Sequence, residues 1–181
     1  MATTVTTETT LPGYLTKVVR DIAVRADALD EADDLPGAID EISKAVEIDP
    51  HSPVLRSRRG MLYYFSEEWQ LAIQDFDLAI EAQPDFVLTM FFRGRAKSEL
   101  GDLDGALRDF EEVVRRQFAE AVRKKEQVAD AYYEIGTIHQ RRGELQRALT
   151  AYESADRAVE GGFLDVSEEI AEIREKLDSQ K

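Results

Sequence analysis

Residues Pro53–Phe86 read PVLRSRRGMLYYFSEEWQLAIQDFDLAIEAQPDF. Two helical patterns meet there at the polar turn Ser66-Glu67-Glu68, and the second runs out at Pro84. In the first, Gly60 sits among larger residues. In the second, Ala72, Phe76 and Ala79 recur at spacings of four and three and so share one helical face. A helical hairpin this short cannot bury both of its faces alone, which directs attention to whether the chain repeats it.

The chain repeats it with a period of 34. Ala26, Gly60 and Gly94 are spaced by 34 and 34, and Gly136 follows after 42. Ala38, Ala72, Ala106 and Ala148 keep the same three spacings, as do Ile42, Phe76, Phe110 and Tyr152. Ala45, Ala79, Val113 and Ala155 make a fourth set in step. Four sets that agree on one register, including the same excess of 8 residues before the last copy, define a real repeat.

These residues resemble the tetratricopeptide repeat. That family has a small residue midway along helix A, then Ala, an aromatic and Ala on helix B, and a closing Pro, over about 34 residues. The second copy matches with Gly60, Tyr63, Ala72, Phe76, Ala79 and Pro84, and the fourth with Tyr132, Ile135, Gly136, Ala148, Tyr152 and Ala155. The first copy, Val19 to Pro50, has Ala26 for Gly and Ile42 for the aromatic, and the third carries Phe118 in place of the closing Pro. Arg59 and Arg93 stand where the family usually has Leu, which leaves open how tightly those helix A faces pack. The resemblance implies an all-α fold, a right-handed α-solenoid of antiparallel helix pairs. The expected copies are residues 19–52, 53–86, 87–120 and 129–162, with a capping helix over 165–178 and a flexible polar tail over 1–12.

A chain of 181 residues with 43% hydrophobic content can bury a core. The absence of Cys excludes disulfides, thiolate nucleophiles and Cys-based zinc sites. No apolar run approaches the ~20 residues of a membrane span and no signal segment opens the chain, so a cytoplasmic protein is expected. A formal charge of −14 argues against nucleic acid as a partner. There is no Gly-rich phosphate loop, no Ser in a nucleophile context and no His-carboxylate cluster at metal spacing, so neither catalysis nor a cofactor is expected.

From Tyr14 the positions Leu15, Val18, Val19, Ile22 and Ala26 recur at helical spacing, which starts a helix before the first copy. Asp27, Asp30, Glu31, Asp33 and Asp34 crowd its end. They lack the alternating ligands and central Gly of a calcium loop, and a solvated acidic turn is expected instead. His51 and His139 share no ligand spacing. The 8 extra residues fall near Ala121 to Val128 and, with neither Gly nor Pro from Ala106 to Ile135, lengthen the flanking helices by about two turns in all. Arg115, Arg116, Arg123, Lys124 and Lys125 form a basic stretch there, and pairing with Glu111, Glu112, Glu120 and Glu126 on the same helices is expected. After Gly161-Gly162, Asp165 and Glu168 have capping-box spacing, and Val166, Ile170, Ile173 and Leu177 form one apolar stripe. That stripe suits an end cap on the last copy, giving a monomer, or pairing with a second chain, giving a homodimer.

The resemblance also implies a ligand groove, lined by one face of each helix A. Here that face is Ser57, Arg58, Met61, Tyr64 and Phe65, then Leu88, Phe91, Phe92 and Arg95, then Asp130, Tyr133, Glu134, Thr137 and Arg141. Its expected ligand is a protein or peptide segment with bulky apolar residues and an acidic group. The other reading is a scaffold that assembles with itself through the groove or the C-terminal helix. Family members that clamp a chaperone's C-terminal carboxylate use Lys and Asn on successive helices A. This sequence has no Asn, and its first two copies offer Ala23, Asp27, Ser57 and Met61 at those places, so that ligand is not expected.

Overall fold

The computed structural model describes residues 11–119, 125–158 and 165–180. Among them are nine helices and no strand: α1 (Gly13–Glu31), α2 (Leu35–Ile48), α3 (Pro53–Phe65), α4 (Trp69–Ala82), α5 (Val87–Glu99), α6 (Leu103–Ala119), α7 (Lys125–Arg141), α8 (Leu145–Ala158) and α9 (Ser167–Asp178). Each helix packs on the next along the chain. α5 also touches α3 on one side and α7 on the other, which makes these odd-numbered helices one wall of a right-handed α-solenoid of antiparallel pairs. α6 and α7 run to 17 residues each, against 14 for α4 and 13 for α5. Residues 1–10 of the expected tail, Glu120, Ala121 to Lys124 of the extra segment and the Gly161-Gly162 break lie outside the described residues.

Every hairpin turns in the same way. Asp33, Glu67, Gly101 and Gly143 occupy equivalent places between paired helices, and all four have a positive φ, of 62°, 61°, 82° and 72°. Glycine adopts that conformation without cost, whereas a side chain at Glu67 costs about 1–2 kcal/mol. The acidic turn thus has a structural use. Asp33 makes the left-handed step, and Asp34 caps α2 by accepting from the Gly37 amide at 3.0 Å. Asp102 repeats that cap on α6, accepting from the Gly105 amide at 2.9 Å.

Within each pair, residues sixteen apart meet. The small residues Ala26, Gly60, Gly94 and Gly136 face Ile42, Phe76, Phe110 and Tyr152, whose side chains are buried. One position earlier the same offset carries ion pairs. Arg25 Nε donates to Glu41 at 2.9 Å, Arg59 binds Asp75 through two nitrogens at 2.6 and 2.8 Å, and Arg93 binds Asp109 at 2.9 and 2.6 Å. Asp75 also accepts from Arg56 at 3.1 Å and Asp109 from Lys97 at 2.8 Å. The third nitrogen of each inner arginine reaches the preceding even-numbered helix, at Ser43 for Arg59 and Asp77 for Arg93. The arginines that stand in for Leu therefore do not loosen these faces. Their stems pack and their guanidinium groups tie three helices together, as the planar fork of arginine allows.

α9 closes the array. Ile173 is fully buried against Ala148 and Tyr152, with Ile170 and Leu177 beside it, so the stripe is covered by α8 of the same chain. The expected capping box does not form. Val166 rather than Asp165 precedes the first helical residue, and the Asp165 carboxylate accepts from the Ser167 amide at 3.0 Å, two residues on. The reason is burial: Val166 is 1% exposed and holds the entry of the helix against the core, which shifts the start by one residue.

Candidate interaction surface

α3 and α5 each end in a polar turn and present aromatic residues on their shared side. Tyr64 is buried, and its ring centroid lies 5.3 Å from that of Phe92, 5.4 Å from Phe65 and 5.2 Å from Trp69. Phe92 stands 5.8 Å from both Phe65 and Phe91 in edge-on contacts, the arrangement that ring quadrupoles favour. Phe65 is 54% exposed above the buried Tyr64, so the cluster has a buried base and an open apolar top. Phe91 leans the other way, 5.6 Å from Phe110, and packs against the core between α5, α6 and α7. Ser57 is buried and hydrogen-bonded to Thr89 at 2.6 Å, which ties α3 to α5 and leaves its hydroxyl no role at the surface.

The two arginines at the edges already have acidic neighbours. Arg58 pairs with Asp27 on α1. Between these helices lies a small cleft of ≈ 170 Å³ lined by Asp27, Arg58, Met61 and Phe65. Arg95 lies over the Tyr64 ring, 5.4 Å from its centroid, and its Nε is 3.3 Å from Glu134 on α7. Burial pushes the Glu134 carboxyl above its ordinary range despite the pull of Arg95, with Glu99 and Asp130 adding repulsion. Burial also raises Asp130, helped by Glu126. The Arg95–Glu134 contact is thus half-exposed on the arginine side and poorly solvated on the carboxylate side, a pair that an incoming acid can compete for.

Toward the C-terminal end the expected groove residues serve the scaffold. Tyr133 donates to Glu169 of α9 at 3.2 Å, Thr137 donates to the Tyr133 carbonyl at 3.1 Å, and Arg141 donates to Ser98 at 3.1 Å. Of the expected residues, Met61, Phe65, Phe92 and Arg95 gather around Tyr64 with accessible surface, and the exposed Leu88 stands one helical turn before Phe92. Reading the sequence missed Trp69, the first residue of α4, which supports Tyr64 from the side. It also missed Asp27 and Glu134 as counter-ions. Among the described residues no group of His, Asp and Glu is arranged to hold a metal, and no helix is long and apolar enough to cross a membrane. His139 is bonded through Nδ1 to Glu144 at 2.6 Å, and that hydrogen bond foremost holds the Glu144 carboxyl below its ordinary range.

The tetratricopeptide-repeat family model matches residues 93–162. Tetratricopeptide repeat protein 13 of Homo sapiens is 27% identical over 115 residues, covering 64% of this chain and 12% of the relative. Hsc70-interacting protein 1 of Drosophila melanogaster is 31% identical over 83 residues, covering 46% of this chain and 22% of the relative. The chain thus matches less than a quarter of the length of either. Among solved structures, MamA 41-end from Desulfovibrio magneticus RS-1 superposes with a TM-score of 0.76 at 17% identity, covering 92% of this chain and 87% of that one. The first TPR of Spaghetti (RPAP3), bound to the HSP90 peptide SRMEEVD, superposes with a TM-score of 0.61 at 22% identity, covering 69% and 93%.

Proposed function

Because this chain is a tetratricopeptide-repeat protein, we propose that it is a non-catalytic protein-binding module whose ligand sits on the aromatic cluster of α3 and α5. The observation that carries the reading is Phe65, more than half exposed, against the buried Tyr64 ring and the half-buried Phe92 ring, with Arg95 over Tyr64. An open apolar patch beside an arginine is the composition of binding hot spots. The ligand is a peptide or one helix with a bulky apolar residue for Phe65, Phe92 and Met61. An acidic group on it displaces Glu134 from Arg95, and Glu134, whose charge burial already disfavours, takes up a proton or turns to water. Asp27 keeps Arg58 neutralised at the other end.

The first Spaghetti module was solved bound to an HSP90 peptide, SRMEEVD. This chain has no Asn for a carboxylate clamp, Ser57 is spent on Thr89, and Asp27 would repel such a peptide. Calorimetry with SRMEEVD is therefore expected to show no binding, and micromolar affinity would contradict the proposed ligand chemistry.

The direct test is capture from the source cell by immobilised wild type and by a Phe65→Ala, Arg95→Glu variant. Proteins lost only with the variant are ligands of this surface, and calorimetry on their acidic, apolar segments then gives affinities. Identical sets of captured proteins would remove the aromatic cluster from consideration.

A further inference from the structure

The ion-pair series stops at the fourth copy. Ile135 and Ala151 stand where Arg93 and Asp109 stand one copy earlier, with the same offset of sixteen, and Tyr132 and His139 replace Met90 and Lys97. With no arginine crossing between them, α6, α7 and α8 leave a cleft of ≈ 390 Å³ floored by Val114, Tyr132, Ile135 and Ala151. Glu111 lies on its rim. Its place is that of Asp77, the carboxylate that takes the outer nitrogen of Arg93 at 2.7 Å. Glu111 is exposed and, among the described residues, makes no ion pair. The cleft has kept the apolar passage and the outer carboxylate of an arginine site and has lost the arginine.

We propose that this cleft receives an arginine side chain from a partner protein, its methylenes lying on Tyr132 and Ile135 and its guanidinium on Glu111. The first three copies supply the physical model, since each fills this position with its own arginine. Charge favours the same occupant. The chain carries −14 overall, and the basic side chains that line the cleft, Arg147 and His139, are both hydrogen-bonded to Glu144, at 3.2 Å and 2.6 Å. Arginine fits better than lysine because its weakly hydrated, planar head tolerates an apolar wall and an aromatic neighbour. None of the residues involved belongs to the aromatic cluster of α3 and α5, so the two surfaces stand or fall separately.

Two pools of heptapeptides test the proposal, one with arginine fixed at the centre and the other with citrulline, which keeps the shape and removes the charge. Each is passed over immobilised wild type, an Ile135→Arg, Ala151→Asp variant, and Glu111→Gln. The double variant leaves the net charge unchanged while rebuilding the pair of the other copies, so general attraction of cations to an acidic protein cannot distinguish it from wild type. Wild type is expected to retain the arginine pool about fivefold over the citrulline pool, the effect of one accessible ion pair, and both variants to approach parity. Parity on wild type would overturn the proposal, as would an unchanged preference in Glu111→Gln, a surface change that stands even if the double variant does not fold. Light scattering completes the test: a wild-type dimer that the double variant abolishes would assign the cleft to a second copy instead.

Discussion

The Phe76 ring lies so close to Gly60 that a Cβ added there would stand 2.6 Å from its Cε1. The contact recurs between Gly94 and Phe110 and between Gly136 and Tyr152, where the nearest ring atoms would be 2.9 and 2.6 Å away. In the first copy both partners differ together, Ala26 against Ile42, and both are buried. Gly60→Ala is expected to cost about 1–3 kcal/mol by overpacking. Combined with Phe76→Ile, it should show a favourable coupling of about 0.5–3 kcal/mol in urea denaturation of the four proteins. Simple additivity would mean that the ring does not limit the site.

Asp109 neutralises both Arg93 and Lys97 from a site that is 5% exposed. Asp109→Ala leaves those cations beside a low-dielectric wall and is expected to cost about 3 kcal/mol. Changing Arg93→Ile at the same time copies Ile135 and Ala151 of the fourth repeat and should restore much of the loss. Thermal melts of the single and double variants check this, and equal melting temperatures for the two would show that Asp77 alone satisfies Arg93.

Glu67 makes its turn at φ 61°, where the equivalent residues of the third and fourth copies are Gly101 and Gly143. Glu67→Gly is expected to stabilise the protein by about 1 kcal/mol, relief of the left-handed strain outweighing the added freedom of the unfolded chain. A lower urea midpoint would show that the turn is not strained.

Glu134 and Glu112 respond to pH with opposite sign. Burial raises the Glu134 carboxyl in the folded state, so its ionisation opposes folding, and the loss develops as pH rises from its ordinary 4.5 through the raised value. Relative to Glu134→Gln, wild type should therefore be less stable at about pH 8 than at about pH 4. Hydrogen bonds from Arg115 foremost and Arg116 lower Glu112 to about 2, so its contribution is present above its ordinary 4.5 and is lost as pH falls toward 2. Melts of Glu134→Gln, Glu112→Gln and wild type across that range check both signs.

Ile173 is fully buried where α9 meets Ala148 and Tyr152. Ile173→Asp places a carboxylate there without a partner and is expected to lower the melting temperature while leaving the molecular mass in light scattering unchanged. A wild-type dimer that this change dissociates would assign the stripe to pairing between chains.

The 34-residue register was legible in the sequence because its contacts are local. Gly60 meets Phe76 across a single turn, and a hairpin of set length holds that offset at sixteen whatever its neighbours do. Small residues, aromatics and helix spacing were therefore enough to read the pairs and the order in which they stack. The apolar stripe of α9 was legible for the same reason, as one face repeating at helical spacing.

What only the tertiary structure decided lies between copies, where the angle from one helix pair to the next sets which side chains meet. That angle turned Phe91 toward Phe110 and Phe92 toward Tyr64, a distinction of one residue that helical spacing does not resolve. It brought Asp27 to Arg58 and Glu134 to Arg95, partners about thirty to forty residues apart with no sequence rule linking them. It also showed the arginines at Leu positions to be ties between helices, and so revealed that the fourth copy, with Ile135 and Ala151, leaves open a space the others fill. The chain determined each hairpin by contacts within it, while the packing of one hairpin on another decided which surfaces stay free to bind.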